Sequence, residues 1–144
     1  MKNTKLITLF TALFVGIIMI SCGKYEEGPG FSLLPKKTRL QQNWKPVQTV
    51  DANGNINNLD DDGSYIEFVK GGTLNIYNHS LMSLWGSDGA QGTWELSEDK
   101  TQVTINYSYA GLIDVSATYT ILKLKINDLG LMDENGYKTY YDYK

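Results

Sequence analysis

Gln102-Val103-Thr104-Ile105-Asn106-Tyr107-Ser108-Tyr109 is the stretch on which the fold turns. Val103, Ile105, Tyr107 and Tyr109 alternate with Gln102, Thr104, Asn106 and Ser108. Successive side chains of an extended chain point to opposite faces, so this period of two sorts apolar groups to one side and polar groups to the other. That is the pattern of a half-buried β-strand.

Working outward, seven further stretches read as strands: residues 44–50, 65–70, 73–78, 93–96, 117–126, 129–132 and 137–143. Turn chemistry separates them. Asp51-Ala52-Asn53-Gly54-Asn55 and Asp133-Glu134-Asn135-Gly136 each contain Asn-Gly, which can place two successive residues at positive φ in a tight hairpin. Lys70-Gly71-Gly72 and residues 97–100 make two more short links. No stretch after Gln42 carries a helical period; before it, residues 35–42 open on proline and suit a single helical turn.

A parallel crossover needs a dozen or more residues, and these turns are too short for one. Neighbouring strands therefore pair antiparallel. Eight of them in chain order form an all-β, up-and-down meander that closes into an eight-stranded barrel and so removes its exposed edges. A two-sheet β-sandwich is the alternative. The hundred or so residues from Asn43 to Lys144 make one domain rather than two.

The N-terminus carries a different message. Lys2 and Lys5 precede an apolar run over residues 6–20, followed by the small residue Ser21 and the only cysteine, Cys22. This is the layout of an export signal. The run is shorter than the roughly twenty residues needed to cross a bilayer, and Thr8 and Thr11 interrupt it. Met19-Ile20-Ser21-Cys22 resembles the lipobox of bacterial lipoproteins, which implies cleavage after residue 21 and lipidation of Cys22. Two or three acyl chains on that cysteine would hold the protein to a membrane, whereas one chain is marginal. Residues 22–34 then read as a flexible tether and residues 35–144 as the barrel domain with its N-terminal helical turn. Lys24, Glu26 and Glu27 resemble the acidic signal that sends some Bacteroidota lipoproteins to the outer face of the outer membrane. The expected location is the outer membrane, with exposure at the cell surface if that signal operates.

Removing Lys2 and Lys5 leaves eleven basic against sixteen acidic side chains, a net charge of −5. Mild acidity argues against nucleic acid as a partner. A lone cysteine forms no internal disulfide, so packing alone must stabilise the domain.

Trp44 follows the helical turn at the start of the first strand, as at the closed end of a lipocalin-type barrel. Thr93-Trp94-Glu95-Leu96, Gln102-Val103-Thr104-Ile105, Tyr119-Thr120-Ile121-Leu122-Lys123-Leu124 and Leu129-Gly130-Leu131-Met132 resemble the small lipocalin-like domains of many Bacteroidota lipoproteins. The resemblance spans residues 43–144 and implies a barrel with the tryptophan plugging its closed end. Two departures stand out. Gln42 occupies the place of a glycine two residues before the tryptophan, and the only arginine is Arg39 rather than one late in the chain.

Candidate chemistry is sparse. The ten tyrosines suit half-buried strand faces first, and an aromatic-lined pocket second. In the last strand, Tyr137, Thr139, Tyr141 and Tyr143 share one face, and Lys138, Tyr140 and Asp142 the other. Residues 78–91 hold the only histidine, His79, with Leu81, Met82, Leu84 and Trp85; this apolar loop could lie over the barrel mouth, add a short strand or complete the core. Asp51, Asn53 and Asn55 have the spacing of three calcium-loop ligands. Ile56 replaces the required glycine, and Asp62 the terminal glutamate, so a solvated hairpin loop is the reading. No nucleophile-elbow or zinc-helix motif is present, and no carboxylate pair has a spacing that marks a glycosidase.

The expectation is therefore a non-catalytic protein with no metal or cofactor. It binds a small, mostly apolar ligand in the barrel through Trp85, Trp94, Tyr107 and Tyr119. The alternative is an envelope interaction or structural module with a filled barrel. Whether the inward side chains leave a void separates the two, because an eight-stranded barrel holds either side chains or one small ligand.

Overall fold

In the computed structural model, residues 33–78, 89–109, 111 and 113–144 are described. The expected signal peptide, Cys22, the tether up to residue 32, and His79 and Trp85 lie outside them. A five-residue helix α1 (Lys36–Leu40) leads into nine strands: β1 (Asn43–Val50), β2 (Ile56–Asn58), β3 (Tyr65–Phe68), β4 (Thr73–Tyr77), β5 (Ala90–Leu96), β6 (Gln102–Tyr109), β7 (Ile113–Leu124), β8 (Asp128–Met132) and β9 (Lys138–Tyr143). All pairings are antiparallel, and β3 to β9 follow one another in chain order.

Closure comes from β1 and β9, paired from Trp44 opposite Tyr143 to Val50 opposite Lys138. On its other side β1 pairs with two short strands in succession. Asn43 and Trp44 lie opposite Glu67 and Ile66 of β3, while residues 48–50 lie opposite β2. The second wall of the barrel is thus one interrupted strand, and nine strands fill eight places. β2 went unforeseen because a three-residue Ile-Asn-Asn strand, exposed throughout, has no alternation to betray it. The interruption holds Asp60, Asp61 and Asp62, and the last two serve as turn formers. Asp61 and Asp62 accept the amide protons of Gly63 and Ser64, and Asp61 also pairs with Lys45 at 3.1 Å.

Two bulges keep the apolar set facing inward. In β1 the register shifts between Pro46 and Gln48. A proline has no amide proton to give a ladder, and beside a bulge that lack is tolerated. In β7 the shift falls between Ile121 and Lys123, so Ile121 and Leu124 both reach the core. Leu122 is the extra residue there. It is buried but stands outside the central cluster. β7 also starts four residues earlier than its sequence pattern shows, because β6 offers a full-length partner back to Ile113.

The two Asp-x-Asn-Gly turns are near copies of each other. In each, the aspartate carboxylate accepts two amide protons, from Asn53 and Asn55 at Asp51 and from Asn135 and Tyr137 at Asp133. The strand closes through Asp51 N–H to Asn55 O and Asp133 N–H to Tyr137 O. Only Gly54 and Gly136 take positive φ, at 87° and 84°, while the asparagines do not. The expected pair of left-handed residues is therefore corrected to one: these loops bulge around a glycine instead of making two-residue turns.

The core fills the closed end. Leu40, Trp44, Phe68, Leu74, Val103, Ile121, Leu124 and Leu129 are almost completely buried. α1 caps this end. Trp44 Nε1–H donates to Leu40 O at 2.9 Å, and Arg39, itself buried, donates from Nη1 to Leu124 O at 2.5 Å. The only arginine thus reaches the base of the barrel from the helix rather than from a late strand. The outer face is polar, as the alternation requires: Glu67, Asn75 and Gln91 bond in a row across three strands, and Thr104 bonds Thr118.

Candidate functional site

At the end opposite α1, the inner face opens into a cleft of about 220 Å³. Ile66 and Ser64 border it from the β3 side, Ile76 and Asn78 from β4, Ile105 and Tyr107 from β6, Tyr119 from β7, Tyr141 from β9 and Pro46 from β1. Alternation selects them. Ile66 shares its face with buried Phe68, Ile105 and Tyr107 with Val103, and Tyr119 with Ile121. Tyr107, Tyr119 and Tyr141 all pack against the core cluster.

Gly92 stands opposite Tyr107 in the β5–β6 ladder. A Cβ there would lie 1.9 Å from Asn106 O and 2.7 Å from the Tyr107 Cα and Cβ. A bare backbone at residue 92 is what lets these two strands close together beside the cleft.

The phenols form an uncharged group. Burial pushes the Tyr141 hydroxyl well above its ordinary value, and nearby Tyr119 and Tyr107 add to the shift. Burial raises Tyr119 too, with Asp133 contributing. On the outer rim Tyr65 and Tyr77 stack with ring centroids 4.2 Å apart, and Lys144 Nζ lies 3.5 Å from the Tyr65 ring centroid. Burial raises Tyr65 as well.

Of the expected contacts, Tyr107 and Tyr119 come together at the cleft. Trp94 does not join them. It lies toward the closed end, 4% exposed, with its ring edge-on to Phe68 at 5.6 Å and its Nε1–H donated to Val69 O. Trp85 lies outside the described residues. Tyr141, Ser64, Asn78 and the isoleucines were not singled out from sequence. Alternation had sorted Tyr141 onto a face with Thr139, and only closure of β9 on β1 makes that face the inner one.

Among the described residues, no three or more His, Cys, Asp or Glu side chains stand where they could share a metal ion. The calcium-like spacing of Asp51, Asn53 and Asn55 is used within its own turn: Asp51 Oδ1 takes two backbone amides and Oδ2 takes Asn55 Nδ2–H at 2.7 Å. Those same bonds, chiefly the one from Asn55, hold the Asp51 carboxyl below its ordinary value.

Two solved structures share the architecture. One is a lipocalin-like protein from Bacteroides uniformis, 19% identical, with a TM-score of 0.56, covering 74% of this chain and 99% of its own. The chain has a lipocalin-like barrel fold. The other, an uncharacterized protein from Bacteroides eggerthii, is 18% identical with a TM-score of 0.52 and covers 72% of this chain and 99% of its own. No family model and no curated protein matches the sequence. At these identities the likeness establishes the fold alone.

The lipocalin-like cup sets its own energetic terms. Covering a phenol or amide without giving it a hydrogen bond costs about 1–3 kcal/mol per group. Apolar contact returns about 25 cal/mol per Å². Each hydrogen bond that a covered hydroxyl loses to water and does not regain therefore offsets part of what a small apolar molecule gains there.

Proposed function

We propose that this chain is a membrane-anchored, non-catalytic binding protein that holds one small ligand in the tyrosine-rimmed cup of its lipocalin-like barrel. The carrying observation is the cleft itself: a barrel packed solid at one end keeps about 220 Å³ at the other, lined by isoleucines and phenols from five strands. Lipidation of Cys22 would provide the anchor, in the outer membrane. The chain enters the domain beside α1, at the closed end, so a tether from Cys22 would join the barrel at the end opposite the cup.

The test is native mass spectrometry of chain 22–144 with Cys22→Ser, purified from a Bacteroidota cell, beside the wild-type lipoprotein. The expected result is a reproducible adduct on the Cys22→Ser chain that organic solvent strips away, with acyl mass found on the wild-type cysteine alone. A bare mass that persists after incubation with a cell extract would reject the binding role.

A second reading, an interaction module, is favoured by one observation. β8 pairs with β7 only over residues 120–124, which leaves the outer edge of residues 113–119 without a strand partner among the described residues. Such an edge accepts an added strand.

A further inference from the structure

We infer that the ligand of the cup is an uncharged ring bearing several hydroxyl groups, of monosaccharide or inositol size. The inference rests on the binding reading above and adds the class of ligand.

Charge is the first argument. None of the eleven residues around the cleft carries a formal charge at neutral pH. Two charged side chains next to lining rings are engaged: Asp133, which acts on Tyr119, accepts the amides of its own turn, and Lys144 sits over the ring of Tyr65 at the rim. A carboxylate or ammonium entering the cup would lose water and meet no charged side chain among those eleven. The elevated phenols keep the lining neutral through the physiological range.

Size is the second. At about 220 Å³ the cleft has the volume of roughly seven waters, below the ~300 Å³ at which drug-sized pockets begin. Below it Trp44, Phe68, Leu74, Val103 and Ile121 occupy the barrel axis, so a long acyl chain has nowhere to descend.

Polarity is the third. Ile66, Ile76 and Ile105 offer apolar walls, and Tyr107, Tyr119, Tyr141, Ser64 and Asn78 bring hydroxyl and amide groups to the same small space. A ring with C–H faces and hydroxyl edges matches both sets at once. A hydrocarbon would dehydrate the polar set and return no hydrogen bonds. The mostly apolar ligand expected from sequence gives way to a polar, neutral one.

The test is amide-shift NMR on chain 22–144 with Cys22→Ser, which contains every residue of the barrel core. The neutral probes are methyl glucoside, methyl galactoside and myo-inositol. Glucuronate adds a charge to such a ring, and cyclohexylmethanol removes all but one hydroxyl. At least one neutral probe should shift amides near Ser64, Ile105, Tyr119 and Tyr141. Both comparators should bind at least about tenfold more weakly, and Tyr119→Phe should weaken the neutral probe by about tenfold. If glucuronate or cyclohexylmethanol binds as tightly, the ligand class is wrong while the cup remains a binding site. If no probe of either kind moves cup amides, the binding reading falls with the inference. The rank order on the unsubstituted cup does not depend on the variant, whose folding its own spectrum reports.

Discussion

Among the described tyrosines, Tyr141 is the one whose hydroxyl burial raises furthest. Its phenol is held protonated by the fold, with Tyr119 and Tyr107 close by. Below about pH 10, the ordinary tyrosine value, folded and unfolded chains both keep this proton and stability does not depend on it. Above that value the unfolded chain releases the proton and the folded chain retains it. Stability should then fall with rising pH, by at most about 1.4 kcal/mol per pH unit for this group. Urea midpoints measured from pH 8 to pH 11 should stay level and then drop, and Tyr141→Phe should flatten part of the drop. An unchanged slope in the variant would show that the phenol is open to water. Trp44 illustrates the opposite kind of residue, a side chain with no titration and full burial whose single polar atom is matched to Leu40 O.

Among the elements, the turns show most clearly how local chemistry shapes the sheet. The link from β5 to β6 wraps around Ser97 and Asp99, whose side chains bond each other and take the amide of Thr101. Lys100 completes it at φ 60°, the one described non-glycine residue in the left-handed region. An L-residue there costs about 1–2 kcal/mol, and glycine avoids that cost while adding freedom to the unfolded chain. Lys100→Gly should therefore raise stability by about 0.5–1 kcal/mol in urea denaturation. A loss of stability would mean that the lysine side chain contributes more than its backbone strain removes. The bulges at Pro46/Gln48 and Ile121/Lys123 act at the same scale, since each re-aims the strand beyond it so that inward residues stay inward.

For the whole barrel, closure by β1 on β9 removes the meander's two ends, but β7 outruns β8 and keeps a stretch of edge with no strand partner among the described residues. Half the amides of an antiparallel strand point to each neighbour. In hydrogen exchange, the amides of residues 113–119 that point away from β6 should exchange quickly, while those of residues 120–124 that point to β8 stay protected. Uniform protection along β7 would mean that something covers the edge. A partner strand should produce that uniform protection on binding, which links this measurement to the interaction reading.

Much of this was legible in the linear chain, for a physical reason. The alternation in residues 102–109, the short links and the two Asp-x-Asn-Gly turns are local properties, set by backbone sterics and by which face meets water, so they point to an antiparallel barrel before any contact is known. The cup is not local. Ser64, Ile76, Ile105, Tyr119 and Tyr141 stand far apart in sequence and meet because closure curls five strands around one axis. The same closure sends Trp94, an equally plausible ligand contact by residue type, into the packed base against Phe68. Residue type and alternation determined that aromatic side chains would stand on the strand faces. Which of them pack the floor and which face the opening was decided by strand register, bulges and the capping helix, because depth along a barrel is a property of the assembled sheet alone.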